Sequence, residues 1–433
     1  MGPWLAFLVG LLVASSAEAV RLDAYDFPFV DPLVATVVRT PSANALPVPR
    51  LEIGDGLRSD RLTGLVDRAV PPVFFYHRHG LEFVLAEQPD PAPLVFVIAG
   101  TGGGALADTS RDLVEVLHAG GYHVIALPNP TNPSFIVNAS STGVPGRLRA
   151  DAADLYRVMQ AAYARVDGRI EVSSVHLAGS SLGATHAAFV AELDAREQRL
   201  GLERVLLLNP AVSLFAAMHI VDEMLRVHEE ADPGAVRRFI EEVLEAFGQL
   251  YQEGAPVDFS GDFVYRTYRV LELPATDLEK LIGLAFRLLA ANLMFTSDVI
   301  ARSGFLVSPD TRLTTTSSLT EFYVRARQHG FDDYFSFIHS PFFAAGEPGL
   351  TQEQMIADAD LAAIEAYLAT AAGVGVITSE DDFVLRPQDL DFLERVFGAR
   401  AAIYPTGGHG GNYRQREVAL RIQAFFRSEP LIQ

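Results

Sequence analysis

A serine flanked by glycines is the strongest indication of chemistry in this sequence. Gly179, Ser180, Ser181, Leu182 and Gly183 fit the pattern G-x-S-x-G, whose central serine occupies a sharp strand-to-helix turn that exposes its hydroxyl. Side chains at the flanking positions would collide with the strand and the helix, so the bend requires glycine there. An apolar run, VSSVHLAG, precedes the motif and a helical run, ATHAAFVAEL, follows it. We therefore predict a nucleophilic Ser181 rather than a serine that only caps a helix.

A serine hydroxyl is a weak nucleophile near neutral pH and needs a base, together with a group that orients the base. His409 lies in the glycine-rich stretch YPTGGHGG, after the last predicted strand and before a terminal helix. Since the partners of a serine at this kind of turn follow in the order serine, acid, histidine, we predict that His409 is the base. His176 and His186 fall inside a predicted strand and a predicted helix, and we interpret both as structural.

The acid is expected after the strand-like run VGVIT, where Glu380, Asp381 and Asp382 are adjacent. Asp382 fits best because the hydrophobic step Phe383-Val384 follows it and can pack the loop back onto the sheet. Asp381 remains the alternative. Two adjacent carboxylates are difficult to ionise together, so the second one should point to solvent or cap the next turn.

An oxyanion hole needs two backbone donors. The stretch GTGGG at 100–104 follows the apolar run LVFVIAG, and its glycines allow the backbone to approach a tetrahedral intermediate. We predict one donor at the amide of Thr101, with Gly102 as the alternative, and the other at Leu182, at the N-terminus of the helix after Ser181. A phosphate loop is disfavoured because neither G-x-G-x-x-G nor G-x-x-x-x-G-K-[ST] is complete.

Strand-like and helical segments alternate from Val73 to Pro210 and again after position 351. This alternation predicts an α/β protein, a parallel sheet with helices on both faces. The run LVFVIAG is typical of a strand buried on both faces. The runs VFFYHRHG and LEFVLAE are predicted as two strands joined by a turn at His79-Gly80.

The alternation stops after Pro210, where helical patterns at 212–229, 234–251 and 276–293 predict an inserted helical cap. The stretch FFAAGEPG at 342–349 is predicted as a loop. The resulting organisation is a signal peptide at 1–19, an irregular N-terminal arm at 20–72, an α/β core at 73–210 and 351–433, and a helical cap at 211–350.

The N-terminus has the pattern of an export signal. The uncharged apolar run WLAFLVGLLVA is followed by serines and by AEA at 17–19, which is typical of a secretory signal peptide and its cleavage site. No Lys or Arg precedes the run, and an uncleaved membrane-proximal helix is the alternative. We expect a mature chain that begins near Val20 and works in a bacterial periplasm or outside the cell.

Composition excludes several functions. The chain has 433 residues and no cysteine, which removes thiol nucleophiles, disulfide scaffolds and thiolate metal sites. Its hydrophobic fraction of 49% is that of a globular protein. The formal net charge of −20 argues against nucleic-acid partners, and mildly against tight binding to anionic membranes.

Together the motifs resemble the α/β-hydrolase fold family. Four elements carry the resemblance in this order: AGTGGG at 99–104, GSSLG at 179–183, EDDFV at 380–384 and GGHGG at 407–411. It covers about 73–210 and 357–428. The resemblance implies an eight-stranded, mostly parallel sheet, a helical cap after the strand that ends near Leu208, and a triad of Ser181, His409 and Asp382. Ala99-Gly100 replaces the frequent His-Gly of the family, which leaves the oxyanion donor open.

The resulting hypothesis is an exported serine hydrolase that cleaves small-molecule or lipid esters through an acyl-enzyme, with no metal or organic cofactor. Hydrolysis of amides, peptides or thioesters fits the same motifs, and a catalytically silent envelope protein that binds a lipid or a protein partner is a third hypothesis. The oligomeric state and any membrane contact stay open. Apolar residues of the insertion favour a hydrophobic acyl chain, although each could instead form the core of the cap: Phe215, Met218, Met224, Phe286, Leu293, Met294 and Phe295.

Overall fold

The computed structural model describes residues 20–252, 268, 274 and 277–431, so the signal-peptide prediction at 1–19 lies outside the described residues. The described residues build one sheet of ten strands. The strands are β1 (Val20–Arg21), β2 (Glu52–Ile53), β3 (Gly56–Leu62), β4 (Leu81–Ala86), β5 (Ala92–Ile98), β6 (His123–Leu127), β7 (Val172–Ser180), β8 (Leu202–Leu208), β9 (Val374–Ser379) and β10 (Ala401–Tyr404).

The strands lie in the order β1-β10-β9-β8-β7-β5-β6-β4-β3-β2. Strand β4 runs antiparallel to both of its neighbours, β3 and β6, and all other neighbouring pairs are parallel. Without the two-residue strands at its edges, the sheet has the eight mostly parallel strands that the resemblance implied. That prediction is confirmed, as is the α/β class.

The centre of the sheet is buried on both faces, as the run LVFVIAG predicted. Alternate residues of β5 point to opposite sides: Leu94, Phe96 and Ile98 join one hydrophobic cluster, while Val95 and Val97 join another. All five side chains are fully buried. Such a strand can only lie in the middle of a sheet that helices cover on both sides.

Helices supply both covering layers. On one face lie α2 (Asp108–Ala119) and α15 (Arg416–Phe426). The opposite face is covered by α4 (Leu148–Val166), α5 (Leu182–Glu197) and α14 (Pro387–Phe397). The short helix α3 (Pro133–Asn138) packs into the same cluster as the second layer, whereas the short helix α1 (Pro32–Val38) packs through Val37 against helices of the insertion after β8.

The predicted strand at 73–80 is wrong, because residues Pro72–His77 form a 3₁₀ helix. Pro71 and Pro72 have no backbone N–H to give to a strand ladder and fix φ near the helical value. Strand β4 pairs instead with β3, whose residues 56–62 fall inside the predicted arm at 20–72. The sheet therefore begins within the arm. The sequence of β3, GLRSDRL, is polar because the strand lies near the edge of the sheet and carries ion pairs such as Arg58–Glu87.

The cap contains α6 (Leu214–Ala231), α7 (Ala235–Gln252), α8 (Leu278–Ala301), α9 (Thr320–Ala326), α10 (Phe331–Tyr334), a π-helical turn at Phe335–His339 and α11 (Ser340–Gly346). The loop predicted at 342–349 is wrong as far as Gly346, because α11 extends to that residue. Pro341 does not prevent this helix, since it lies in the first turn, where a proline is tolerated. Helices α12 (Gln352–Asp358) and α13 (Glu365–Thr370), with a 3₁₀ turn at Leu361–Ile364 between them, lead back to the sheet.

Helix α8 is the longest described helix and the most apolar part of the cap. Its length and its mean hydropathy of 1.4 would suffice to cross a membrane, but half of its most apolar window is buried inside the protein, and core helices have the same properties. Helices α6, α7 and α8 share a small hydrophobic core that includes Met224, Phe239 and Leu281. Val37 of α1 belongs to the same core, so these cap helices pack together with the N-terminal arm.

Candidate active site

Ser181 lies at the turn between β7 and α5 with φ 56° and ψ −128°. A positive φ is uncommon for a residue other than glycine and is found where the surrounding structure imposes it. A Cβ on Gly179 would overlap the carbonyl oxygen of Gly183, and a Cβ on Gly183 would overlap that of Ala99. The structure thus has the sharp turn that the sequence predicted, and a side chain at either glycine would collide with the backbone.

A chain of hydrogen bonds joins Ser181, His409 and Asp382. Nε2 of His409 is 2.8 Å from the Ser181 Oγ, and Nδ1 is 2.9 Å from both carboxylate oxygens of Asp382. The side chain of His409 is 10% exposed and that of Asp382 is fully buried. The structure therefore brings together the three residues that the sequence singled out, in the geometry of a nucleophile, a base and an orienting acid.

The two acidic residues that precede Asp382 have other partners than the His409 ring. Asp381 accepts hydrogen bonds from the backbone N–H groups of Gly407 and Gly408, at 3.2 and 2.9 Å, and burial raises the pKa of its carboxyl. Glu380 pairs with Arg21. Asp381 therefore holds the histidine loop rather than the histidine ring, and it neither points to solvent nor caps the next turn as predicted.

Asn209 supports Asp382 from the end of β8. Its Nδ2 donates to the Asp382 Oδ2 at 2.8 Å, with Gly408 O and Thr378 Oγ1 each at 3.3 Å. Its φ of 48° lies in a region that asparagine tolerates better than most residues. Sequence reasoning missed Asn209; its position directly after a buried strand, LLLNP, was the available signal.

The N-terminal arm contacts the histidine loop through α1. The backbone N–H of His409 donates to the Thr36 Oγ1 at 2.8 Å, and the Thr36 hydroxyl donates to Pro32 O at 2.7 Å. A Cβ on Gly408, whose φ is 56°, would overlap Pro32 O. The arm thus helps to fix the position of His409, a contact that no pattern in the sequence of the arm indicated.

The loop at 100–104 lies against Ser181, since a Cβ on Gly100 would be 3.4 Å from the Ser181 Cβ. The N–H of Gly102 donates to Thr131 Oγ1 at 2.7 Å, so this alternative donor is already engaged. The N–H of Thr101 has no acceptor among the described residues. Leu182 is the first residue of α5, where backbone N–H groups have no partner within the helix. Both predicted donors therefore have N–H groups that a ligand could use.

Two cavities meet at Ser181. The larger has a volume of about 810 Å³ and is lined by the loop at 100–104, His409, Tyr76 and one face of α8. The smaller, about 50 Å³, lies among Leu182, Met218, Leu293 and mostly apolar neighbours. Phe286 lines both. A reacting group bound at Ser181 therefore has a wide space on one side and a narrow one on the other.

The apolar cap residues that the sequence offered divide between these cavities and the core. Phe286 lines both cavities, whereas Met218 and Leu293 line the smaller one. Met224, Met294 and Phe295 are buried in hydrophobic clusters, and Phe215 packs on Phe335. His176 and His186 are buried in β7 and α5, where they were predicted. Among the described residues no group of three or more His, Asp or Glu side chains could hold a metal ion.

The strand order, the turn at Ser181 and the order of its partners along the chain are those of the α/β-hydrolase fold. The chain has this fold, with a helical cap between β8 and β9.

No family model and no curated protein matches this sequence. Three solved structures are similar at low identity. A thioesterase domain from the curacin biosynthetic pathway is 13% identical with a TM-score of 0.37, covering 86% of this chain and 99% of its own. Est1E from Butyrivibrio proteoclasticus is 12% identical (TM-score 0.36; 81% and 95%). A bacterial membrane phospholipase A is 17% identical (TM-score 0.38; 86% and 86%). The fold assignment rests on the strand order and the site geometry, and not on these likenesses.

Proposed function

We propose that this protein is a serine hydrolase that cleaves carboxylic esters through an acyl-enzyme. One observation carries the proposal: the Ser181 Oγ, the His409 imidazole and the Asp382 carboxylate form a continuous hydrogen-bonded chain at the wall of an 810 Å³ cavity. A buried chain of this composition converts a hydroxyl into a nucleophile.

In the proposed reaction the Ser181 Oγ attacks the ester carbonyl carbon while His409 Nε2 takes the hydroxyl proton. Asp382 holds the imidazole in the tautomer with the proton on Nδ1 and stabilises the charged ring. The N–H groups of Thr101 and Leu182 bind the oxyanion of the tetrahedral intermediate. His409 then gives its proton to the leaving alcohol. A water molecule, deprotonated by the same nitrogen, attacks the acyl carbonyl, and the proton passes from His409 to the Ser181 Oγ as the acid leaves.

The wall of the larger cavity supports a substrate with a hydrophobic chain. Ile282, Ala285, Phe286 and Leu289 follow one another at helical spacing along α8 and all line this cavity. Such a stripe would contact an acyl chain along more than one turn of the helix. An ester with a hydrophobic acyl group is therefore the substrate class that we propose.

A fluorophosphonate probe tests the nucleophile. The wild-type protein should be labelled, Ser181→Ala should not, and Ser180→Ala should be, because the Ser180 hydroxyl bonds to Tyr413 and not to the base. Absence of label on the wild type, or label that survives Ser181→Ala, contradicts the proposal. A series of p-nitrophenyl esters from acetate to palmitate then tests the chain preference, and equal kcat/KM across the series contradicts it.

We also propose that the protein is exported and cleaved before Val20, on the basis of the apolar run at 4–14. Val20 and Arg21 pair with β10, so cleavage at this position would leave the sheet complete. N-terminal sequencing of protein recovered from the periplasm or medium should begin near Val20. Full-length protein confined to the cytoplasm would contradict the proposal.

A further inference from the structure

The glycine loop at 100–104 is held by the segment 128–133 (PNPTNP), which follows β6. Backbone groups along the loop and at the end of β5 are engaged by this one segment. The bonds are Asn129 Nδ2 to Ala99 O at 2.8 Å, Gly102 N to Thr131 Oγ1 at 2.7 Å, Asn132 Nδ2 to Gly102 O at 2.9 Å and Asn129 N to Gly103 O at 3.0 Å.

Thr131 is the centre of this set because its hydroxyl has a fixed direction. It accepts from the Gly102 N–H, so its own proton goes to Asn129 Oδ1 at 2.7 Å. Asn129 is fully buried and Thr131 is 7% exposed. A buried, directed chain of this kind keeps its geometry, since breaking it would leave polar groups without partners.

One hydrogen bond within the loop and one to Thr131 hold the two peptide planes beside Thr101. Asn132 holds the plane of the Gly103 N–H that makes the first of these bonds. Its N–H shares a peptide plane with Gly100 O, which accepts from Gly103 N at 3.0 Å. Its carbonyl shares a plane with the Gly102 N–H, which is bonded to Thr131. The Thr101 N–H is left without an acceptor in the part of the chain that the structure describes.

Because the loop at 100–104 is rich in glycine, contacts with other residues must fix its conformation. Gly102 has a φ of 67°, and the loop consists of glycine apart from Thr101. Glycine populates many backbone conformations, so the loop by itself does not specify where the Thr101 amide points. An oxyanion donor is effective only when it is already aimed at the position where charge develops.

We propose that segment 128–133, through the Thr131 hydroxyl, positions the Thr101 amide for oxyanion binding. Thr131 is a positioning residue, because it acts through the loop and not on the substrate. The inference rests on the proposed hydrolase function and deepens it. Its consequence is that the loss of the hydroxyl lowers the rate of the chemical step while substrate binding in the ground state persists.

The test compares Thr131→Val and Thr131→Ser on a p-nitrophenyl ester. Loss of an oxyanion donor lowers kcat by about 10²–10³-fold, and a displaced donor should retain part of its effect, so we expect Thr131→Val to lose about 10–100-fold in kcat. KM should change less than about twofold, because only a transition-state interaction is lost. Thr131→Ser keeps the hydroxyl and should stay within about threefold of wild type.

A boronate or aldehyde that mimics the tetrahedral intermediate gives a second readout. Its affinity should fall in Thr131→Val in parallel with kcat, which a general loss of folded protein would not produce. Thr142→Val is the matched control: the Thr142 hydroxyl also bonds backbone groups of a loop, at Val144, but it lines neither cavity. This control should keep wild-type kcat and inhibitor affinity.

Asn132→Ser covers the case in which Thr131→Val does not fold. Serine keeps the cap of α3 that Asn132 Oδ1 provides to Ser134 N but cannot reach Gly102 O, so kcat should fall with KM unchanged. A folded Thr131→Val variant with wild-type kcat overturns the inference. If Thr131→Val does not fold, wild-type kcat in Asn132→Ser overturns it instead. In either case the proposed function stands as long as the wild type shows Ser181-dependent activity. A wild type without Ser181-dependent activity overturns the proposed function itself.

Discussion

The α/β core and the cap contribute to the site in different ways. Site residues of the core, including the arm that packs on it, are held by hydrogen bonds, such as those between His409 Nδ1 and Asp382 at 2.9 Å and from the Gly102 N–H to Thr131 Oγ1 at 2.7 Å. The cap contributes chiefly apolar side chains of α8, such as Phe286 and Leu289, to the cavity walls. Directional bonds fix atoms for chemistry, whereas apolar walls select by shape and area. The difference predicts that core changes affect every substrate and cap changes affect only some.

The largest expected effect separates the two adjacent aspartates. Asp382→Asn should lower kcat by about 10⁴-fold for short and long esters alike, because the amide no longer holds the tautomer that accepts the serine proton. Asp381→Asn should lose less than about tenfold, since its Oδ1 can still accept from a glycine N–H of the histidine loop. Steady-state kinetics on both variants check this. Equal losses would show that Asp381 shares the role of the acid.

Asn209 gives the next largest effect. A hydrogen bond to a charged group contributes about 1.5–3 kcal/mol, so Asn209→Ala should lose about 10–150-fold in kcat. Asn209→Gly is the matched variant, because glycine adopts the positive φ of this position without strain. Both variants should lose the same activity, and Asn209→Gly should be the more stable in thermal unfolding. Retained activity in Asn209→Gly alone would assign the effect to the backbone.

Acid should destabilise the core and the cap through buried histidines. Burial lowers the pKa of His176, in β7, to about 4 and that of His339, in the cap, to about 3. A depressed folded-state pKa stabilises the protein above the unfolded value of about 6.5, and this stability is lost as pH falls below 6.5. Each histidine should therefore reduce the free energy of unfolding by about 2 kcal/mol between pH 7 and pH 5.

Urea unfolding at several pH values measures this loss. His176→Leu and His339→Leu should each flatten the pH dependence, whatever they do to stability at pH 7. His79→Leu serves as the control because His79 is exposed. If only one of the two buried variants flattens the pH dependence, the other histidine does not contribute to the loss of stability in acid, which contradicts the prediction for that region.

The sequence predicted the core of the site better than its supports or the cap. Ser181, His409 and Asp382 are set in glycine-rich or strand-end patterns that few other structures require. Asn209 and Thr36 act across 173 and 373 positions of sequence. The position of Asn209 directly after a buried strand was a weak signal, and Thr36, a single threonine in the short helix α1, had none. Strand β3, next to the edge strand β2, was missed for a related reason. A strand with many charged residues is hard to tell from a loop in the sequence.

The sequence predicted that the cap is helical, but it did not predict which cap side chains line the cavities. Helix α8 has a mean hydropathy of 1.4 over its most apolar window, so hydropathy alone cannot tell the side that lines the cavity from the side that packs in the core. Phe286 and Phe295 illustrate the limit: both are aromatic residues of one helix, yet the first lines both cavities and the second is fully buried. Only the packing of the other helices separates them.

The smallest expected effect concerns Phe286, and it tests the cap directly. Phe286→Ala removes an aromatic surface from the wall of the larger cavity, so long-chain esters should lose about tenfold in kcat/KM, mainly through KM, for a contact of about 1.4 kcal/mol. Acetate esters should stay within about threefold of wild type, because their acyl group is too short to extend along α8.

Phe337→Ala is the matched control, since Phe337 belongs to the cap but is 49% exposed and lines neither cavity. It should leave kcat/KM unchanged for both long-chain and acetate esters. An equal loss on acetate and palmitate in Phe286→Ala would place Phe286 with the core residues that support the reaction itself. The proposed division, with the chemistry in the core and the choice of acyl chain in the cap, would then fail at Phe286, where the two regions meet.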